Sequence, residues 1–136
     1  MAIKILHVED NADDVMLTGL AFRKAGVSAQ LEVATDGDKA IAALQAAGPP
    51  PACVLLDLKL PTVSGIEVLK WVRAQPRLKR LPVIMLTSSL LPDDINSAYD
   101  LGANSYLVKP SGLEALIELA KIIDLYWLRT NTPASG

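Results

Sequence analysis

Cysteine is almost missing from this sequence: Cys53 is the one thiol in 136 residues, so no internal disulfide can staple the chain. Its neighbours Val54, Leu55 and Leu56 predict a buried, inert thiol rather than a reactive one. Charge of one sign is lacking too. Thirteen Lys and Arg stand against fifteen Asp and Glu, a formal net charge of −2, and no basic stripe compensates. Nucleic acid is therefore not an expected partner. No apolar run approaches the ~18 residues that span a bilayer. The start, MAIKILHVED, is apolar for only a few residues before two acids, unlike a secretory leader. A cytoplasmic protein without membrane attachment is expected.

What is present is a globular composition, 51% hydrophobic and 21% charged, in a chain of a length that suits one core. Short apolar runs alternate with longer helical patterns. Strands are predicted at Ile3 to Val8, Gln30 to Ala34, Cys53 to Leu56, Pro82 to Leu86 and Ser105 to Val108. Helices are predicted from Ala12 to Ala25, Asp38 to Ala47, Gly65 to Ala74, Pro92 to Leu101 and Gly112 to Leu128, several of them stopped by glycine. The unbroken apolar run Cys53-Val54-Leu55-Leu56 reads as a central parallel strand buried on both faces. Five β–α repeats predict an α/β, doubly wound sheet. One domain is expected over residues 1–128, followed by a polar tail, 129–136.

In open α/β sheets, ligands bind beyond the carboxyl ends of the strands, near the reversal in strand order. The polar residues there are Glu9-Asp10, Asp57, Thr87-Ser88 and Lys109-Pro110. Three carboxylates on one edge repel. At ~4 Å and an effective dielectric near 20, each pair costs roughly 4 kcal/mol. Such a cluster must protonate or hold a cation, and oxygen donors with no histidine or cysteine favour Mg²⁺ over zinc. His7 falls one strand position too early and is expected on a sheet face. Asp13 and Asp14 are expected to favour the positive end of the first helix. That role does not account for Asp57, which follows four apolar residues and begins no helix.

HVED, LLDLKLPTVSG, VIMLTSS and YLVKP together resemble the receiver domains of two-component response regulators. The likeness covers nearly the whole chain, and its motifs fall in order at the strand ends. It implies a (βα)5 flavodoxin-like fold with strand order 2-1-3-4-5. It further implies a phosphoryl group taken from a histidine kinase by Asp57, and Mg²⁺ held by Glu9, Asp10, Asp57 and the main chain of Lys59. By the same resemblance Thr87 and Lys109 contact the phosphoryl group, and Thr87 and Tyr106 form the conformational switch. Lys109-Pro110 matches the family's cis peptide, and Lys59 and Ser89 match positions that tune phosphate lifetime. Glu9 departs from the commoner aspartate by one methylene.

On the last helix Glu114, Glu118, Lys121 and Asp124 fall on one polar sector. Apolar residues fill half of the circumference or more, so Ala115, Leu119, Ile122 and Tyr126 form a candidate interface, expected to serve a homodimer. The extended end with Trp127-Leu128 resembles the small receivers that work with bacterial phytochromes. A downstream partner protein is the expected output. Two different classes of function compete. A haloacid-dehalogenase-type phosphatase would need an acid where Lys59 stands. A phosphorylation-independent binding module would be expected to lack part of the acid, aspartate and lysine set. A relay shuttle to a histidine phosphotransfer protein keeps the same chemistry, and the sequence does not separate it from an output switch.

Overall fold

The computed structural model describes residues 3–134. Five strands, β1 (Lys4–Val8), β2 (Gln30–Ala34), β3 (Cys53–Leu56), β4 (Val83–Thr87) and β5 (Ser105–Val108), alternate with five helices. These are α1 (Ala12–Lys24), α2 (Gly37–Gln45), α3 (Gly65–Ala74), α4 (Pro92–Asp100) and α5 (Leu113–Ile123). All strand pairings are parallel, in the order 2-1-3-4-5 that the resemblance implies. β1 pairs with β2 on one side and β3 on the other, so the strand order reverses between the carboxyl ends of β1 and β3.

Two apolar layers cover the sheet. Ile5, Cys53, Leu55, Ile84 and Leu86 pack with Phe22 of α1 and with Ala120 and Ile123 of α5. Leu6, Val8, Val54, Leu56, Val83 and Met85 pack on the opposite face with residues of α2, α3 and α4. Alternate residues of β3 thus feed both layers, as its unbroken apolar run requires. The Cys53 thiol is fully buried, and burial pushes its pKa up to about 12.

Helix starts follow side-chain capping. The side chains of Asn11, Asp36 and Ser64 accept from the N–H groups of Asp14, Lys39 and Glu67, three residues on in each case. The end of the last helix departs from expectation. The α-helix stops at Ile123, and a π-helical segment continues through Asp124–Thr130. There Asn131 N–H reaches back five residues to the Tyr126 carbonyl, and Thr130 Oγ1 donates to the Leu125 carbonyl. The expected tail therefore begins inside helical structure, with Arg129 pairing to Asp124 at 3.0 Å; Ser135 and Gly136 lie outside the described residues. Among the described residues no helix is long and apolar enough to cross a membrane.

Candidate functional site

Asp57 stands one residue beyond the end of β3, and its N–H is bonded to the Val8 carbonyl of β1. This link fixes the aspartate beside Glu9 and Asp10, which follow β1 directly. Asp57 and Glu9 are buried and Asp10 is exposed, and one oxygen from each lies within 4.8 Å of the others. The Lys59 N–H donates to Asp57 Oδ1 at 3.3 Å, so its main chain runs beside the carboxylate while its side chain is exposed.

Lys109 comes to the same point from β5, its N–H bonded to the Thr87 carbonyl at 2.8 Å. Its ammonium group lies 3.0 Å from Asp57 Oδ2 and 3.0 Å from Asp14 Oδ2, and it also pairs with Glu9 Oε1. Burial alone would lower the lysine pKa; the three carboxylates outweigh burial and hold it above the ordinary value. The Glu9 pKa is shifted upward as well, which for a carboxylate disfavours the charged form. Burial raises its pKa, against the Lys109 contact and the Asn11 N–H that Glu9 Oε2 accepts. The longer glutamate thus spans from the Asn11 main chain to the lysine.

Asp14 corrects the sequence-based assignment. The Asn11 side chain caps α1 and Asp14 sits in its first turn as expected, yet the Asp14 carboxylate is also engaged with Lys109. The sequence held the signal: Thr18, Ala21 and Phe22 form the buried stripe of α1, and Asp14 lies one turn before Thr18 on that stripe. The Lys109–Pro110 peptide is a second correction. No cis bond occurs among the described residues, so this one takes the trans form that X–Pro bonds ordinarily prefer.

Thr87 ends β4 and is 1% exposed. Tyr106 is half-buried, and its hydroxyl donates to the Ser89 carbonyl at 2.9 Å. Ser89 Oγ in turn donates to Asp94 and accepts from the Leu91 N–H, which closes the loop between β4 and α4. On α5 and beyond, Ala115, Ile122 and Tyr126 are exposed, whereas Leu119 packs against the core beside Trp127. Leu119 is therefore already partly used in packing.

His7 lies on a buried sheet face, as expected, and its Nδ1 has no hydrogen-bond partner. Burial, then the Lys109 charge, lower its pKa from 6.5 to about 4. The folded state therefore resists protonation that the unfolded chain accepts. Stability should fall as pH drops from 6.5 towards 4, by about 3 kcal/mol from this residue. Urea titrations of wild type and His7→Leu in metal-free buffer should diverge over that window, the variant losing less. Parallel losses would exclude His7 as the source.

The donor set is all oxygen, with no thiol or imidazole among the clustered residues. It fits a hard divalent cation, with a buried carboxylate next to a second and a third. A buried aspartate carrying one lysine contact, beside such a cluster at the strand-order reversal, is an arrangement for binding a phosphoryl group.

The response regulator receiver domain model matches residues 5–121, and the chain belongs to that family of two-component signalling proteins. Its similarity to whole relatives is narrower still. It is 40% identical over 131 residues to the probable methanogenesis regulatory protein FilR2 of Methanothrix harundinacea, covering 93% of this chain and 84% of that protein. With the response regulator Rcp1 of Synechocystis it shares 38% over 133 residues, 94% of this chain and 90% of the relative. A Mn(2+)-bound crystal form of Rcp1 superposes with a TM-score of 0.86 at 37% identity, covering 98% and 99% of the two chains. The phosphorylated cyanobacterial phytochrome response regulator RcpA gives a TM-score of 0.91 at 38% identity, covering 99% and 100%.

Proposed function

We propose that this receiver is a phosphorylation switch in which Asp57 takes a phosphoryl group from the phosphohistidine of a histidine kinase. One observation carries the reading: the buried Asp57 carboxylate meets the Lys109 ammonium at 3.0 Å while sharing a 4.8 Å cluster with Glu9 and Asp10. An Asp57 carboxylate oxygen supplies the electron pair that forms the new O–P bond. The P–N bond breaks, its pair returns to the imidazole, and solvent supplies the ring's proton. Lys109 stands where negative charge gathers on the phosphoryl oxygens. Mg²⁺, held by Glu9, Asp10, Asp57 and the Lys59 carbonyl, would add positive charge to the same oxygens.

Phosphorylation replaces the single carboxylate charge with about two negative charges on the phosphoryl oxygens, which draws Lys109 and the Thr87 hydroxyl inward. Tyr106 is tied to the loop that follows Thr87, through the Ser89 carbonyl, so a movement of that loop reaches β5. The RcpA likeness supports a phytochrome-type kinase as donor, and a cytoplasmic location follows from such a partner. Exposed Ile122, Leu125 and Tyr126 support homodimerisation through the end of α5, with a downstream protein as the alternative reader of the same change.

The test is intact-mass analysis of the wild type with acetyl phosphate and Mg²⁺, followed by borohydride trapping of the acyl phosphate and peptide mapping. A single adduct on Asp57 is expected, dependent on Mg²⁺, with light scattering on the same samples to read self-association. An adduct on another residue, or none at any Mg²⁺ concentration, would sink the proposal.

A further inference from the structure

Three carboxylates meet the Lys109 ammonium, and one of them is unlike the other two. The ammonium donates hydrogen bonds to Asp14 and Asp57, and its contact with Glu9 is one of charge. Glu9 and Asp57 also belong to the oxygen cluster that suits a divalent cation. Both are therefore claimed by the cation when it binds, and Asp57 changes again when it carries phosphate. Asp14 is in neither position. It does not belong to the 4.8 Å cluster, and it is carried on a different element, the first turn of α1.

We infer that Asp14 is a positioning residue that keeps the Lys109 ammonium aimed at Asp57 while the lysine's other two partners change state. The inference rests on Asp57 being the phosphoacceptor. Lysine ends in a compact charge on a flexible four-carbon stem, so its aim must be supplied from outside. Asp14 is well placed to supply it. Its main-chain N–H is fixed by the Asn11 side chain at 3.0 Å, and α1 is anchored to the core through Thr18, Ala21 and Phe22. The contact joins residues 95 apart in sequence, so it ties α1 to the end of β5. Asp13 provides an internal comparison: it stands in the same first turn, exposed, and forms no ion pair among the described residues.

The experiment follows phosphorylation of the full chain by acetyl phosphate at saturating Mg²⁺. Asp14→Ala should lower the maximal rate about ten-fold, with little change in the half-saturating acetyl phosphate concentration. Asp14→Asn keeps an acceptor oxygen and should recover most of the rate, to within about threefold of wild type. Asp13→Ala should match the wild type. With beryllofluoride as the phosphoryl stand-in, a slowly exchanging Lys109 ammonium signal should appear in NMR spectra of the wild type and Asp14→Asn. It should be lost in Asp14→Ala.

Equal rates in the wild type and Asp14→Ala would overturn the inference and leave the phosphoacceptor reading standing. Equal impairment of Asp14→Ala and Asp14→Asn would overturn it in favour of a simple charge effect, and loss in Asp13→Ala would assign the effect to the helix dipole. A wild type that takes no phosphate would overturn both readings together.

Discussion

Asp57→Asn is expected to take up no phosphoryl group, to lose most of its response to Mg²⁺, and yet to be more stable than the wild type in metal-free buffer. The first outcome follows from the nucleophile, since an amide oxygen has no carboxylate charge with which to attack phosphorus. The second follows from the cluster, which falls from three carboxylates to two. The third is a question of signs. In the absence of a cation, Asp57 faces Glu9, Asp10 and Asp14 as like charges and Lys109 as a single opposite one. At an effective dielectric near 20 a pair of charges ~4 Å apart is worth roughly 4 kcal/mol, so repulsion exceeds attraction. Relaxation and the exposure of Asp10 and Asp14 reduce the net gain to about 1–2 kcal/mol.

Added Mg²⁺ should reverse the order. A ligand at a hundred times its dissociation constant stabilises the protein that binds it by about 2.7 kcal/mol, and the wild type receives that stabilisation while the variant does not. Urea unfolding with and without Mg²⁺ reads both terms. Two curves that keep the same order in both buffers would mean that Asp57 is neither repelled in the free state nor a ligand in the bound one.

The strand ends at which these groups meet were legible because short apolar runs fix where strands stop. β2, β3 and β5 have the bounds that their runs predict, β1 starts one residue later than predicted, and β4 is shifted by one residue at both ends. Glu9, Asp10, Asp57 and Lys109 then follow from position alone. Asp14 was harder, because its partner is 95 residues away and its adjacency to the Asn11 cap offers a sufficient local explanation. Only the helical period, carrying Asp14 onto the stripe of Thr18, Ala21 and Phe22, pointed inward. The end of α5 was not legible. A 100° period continues through Leu128 without a break, and the change to five-residue spacing depends on the Thr130 hydroxyl and Asn131 N–H reaching particular carbonyls. The Ser89–Asp94 bond was equally hidden, since Ser89 lies in the loop before α4, where no periodicity gives its direction.

Gly65→Ala is expected to be the most damaging single-methyl change in the chain, costing about 3 kcal/mol and abolishing phosphorylation of whatever folds. Gly65 is the first residue of α3, a position where alanine is ordinarily welcome. Here a Cβ would stand 1.9 Å from the Asp57 carbonyl oxygen and 2.8 Å from the Leu58 Cα. Both obstacles are main chain, so no side-chain rotation relieves them. Slack in the loop is also limited: Gly65 N–H is bonded to the Leu58 carbonyl, Val63 N–H to that of Pro61, and Thr62 already sits at φ 66°.

The backbone must therefore move at Asp57 and Leu58, which carries the Asp57 side chain and the neighbouring Lys59 main chain away from Glu9 and Lys109. Gly26→Ala provides the contrast. Its φ is 76°, but nothing lies within 4 Å of its would-be Cβ, so only the left-handed backbone is penalised, by about 1 kcal/mol. That variant should phosphorylate as the wild type does. The two alanine proteins compared by urea midpoint and acetyl phosphate uptake separate backbone strain from collision at the site. A Gly65→Ala protein that folds stably and takes phosphate at the wild-type rate would show that the loop can yield, and that α3 does not hold Asp57 in place.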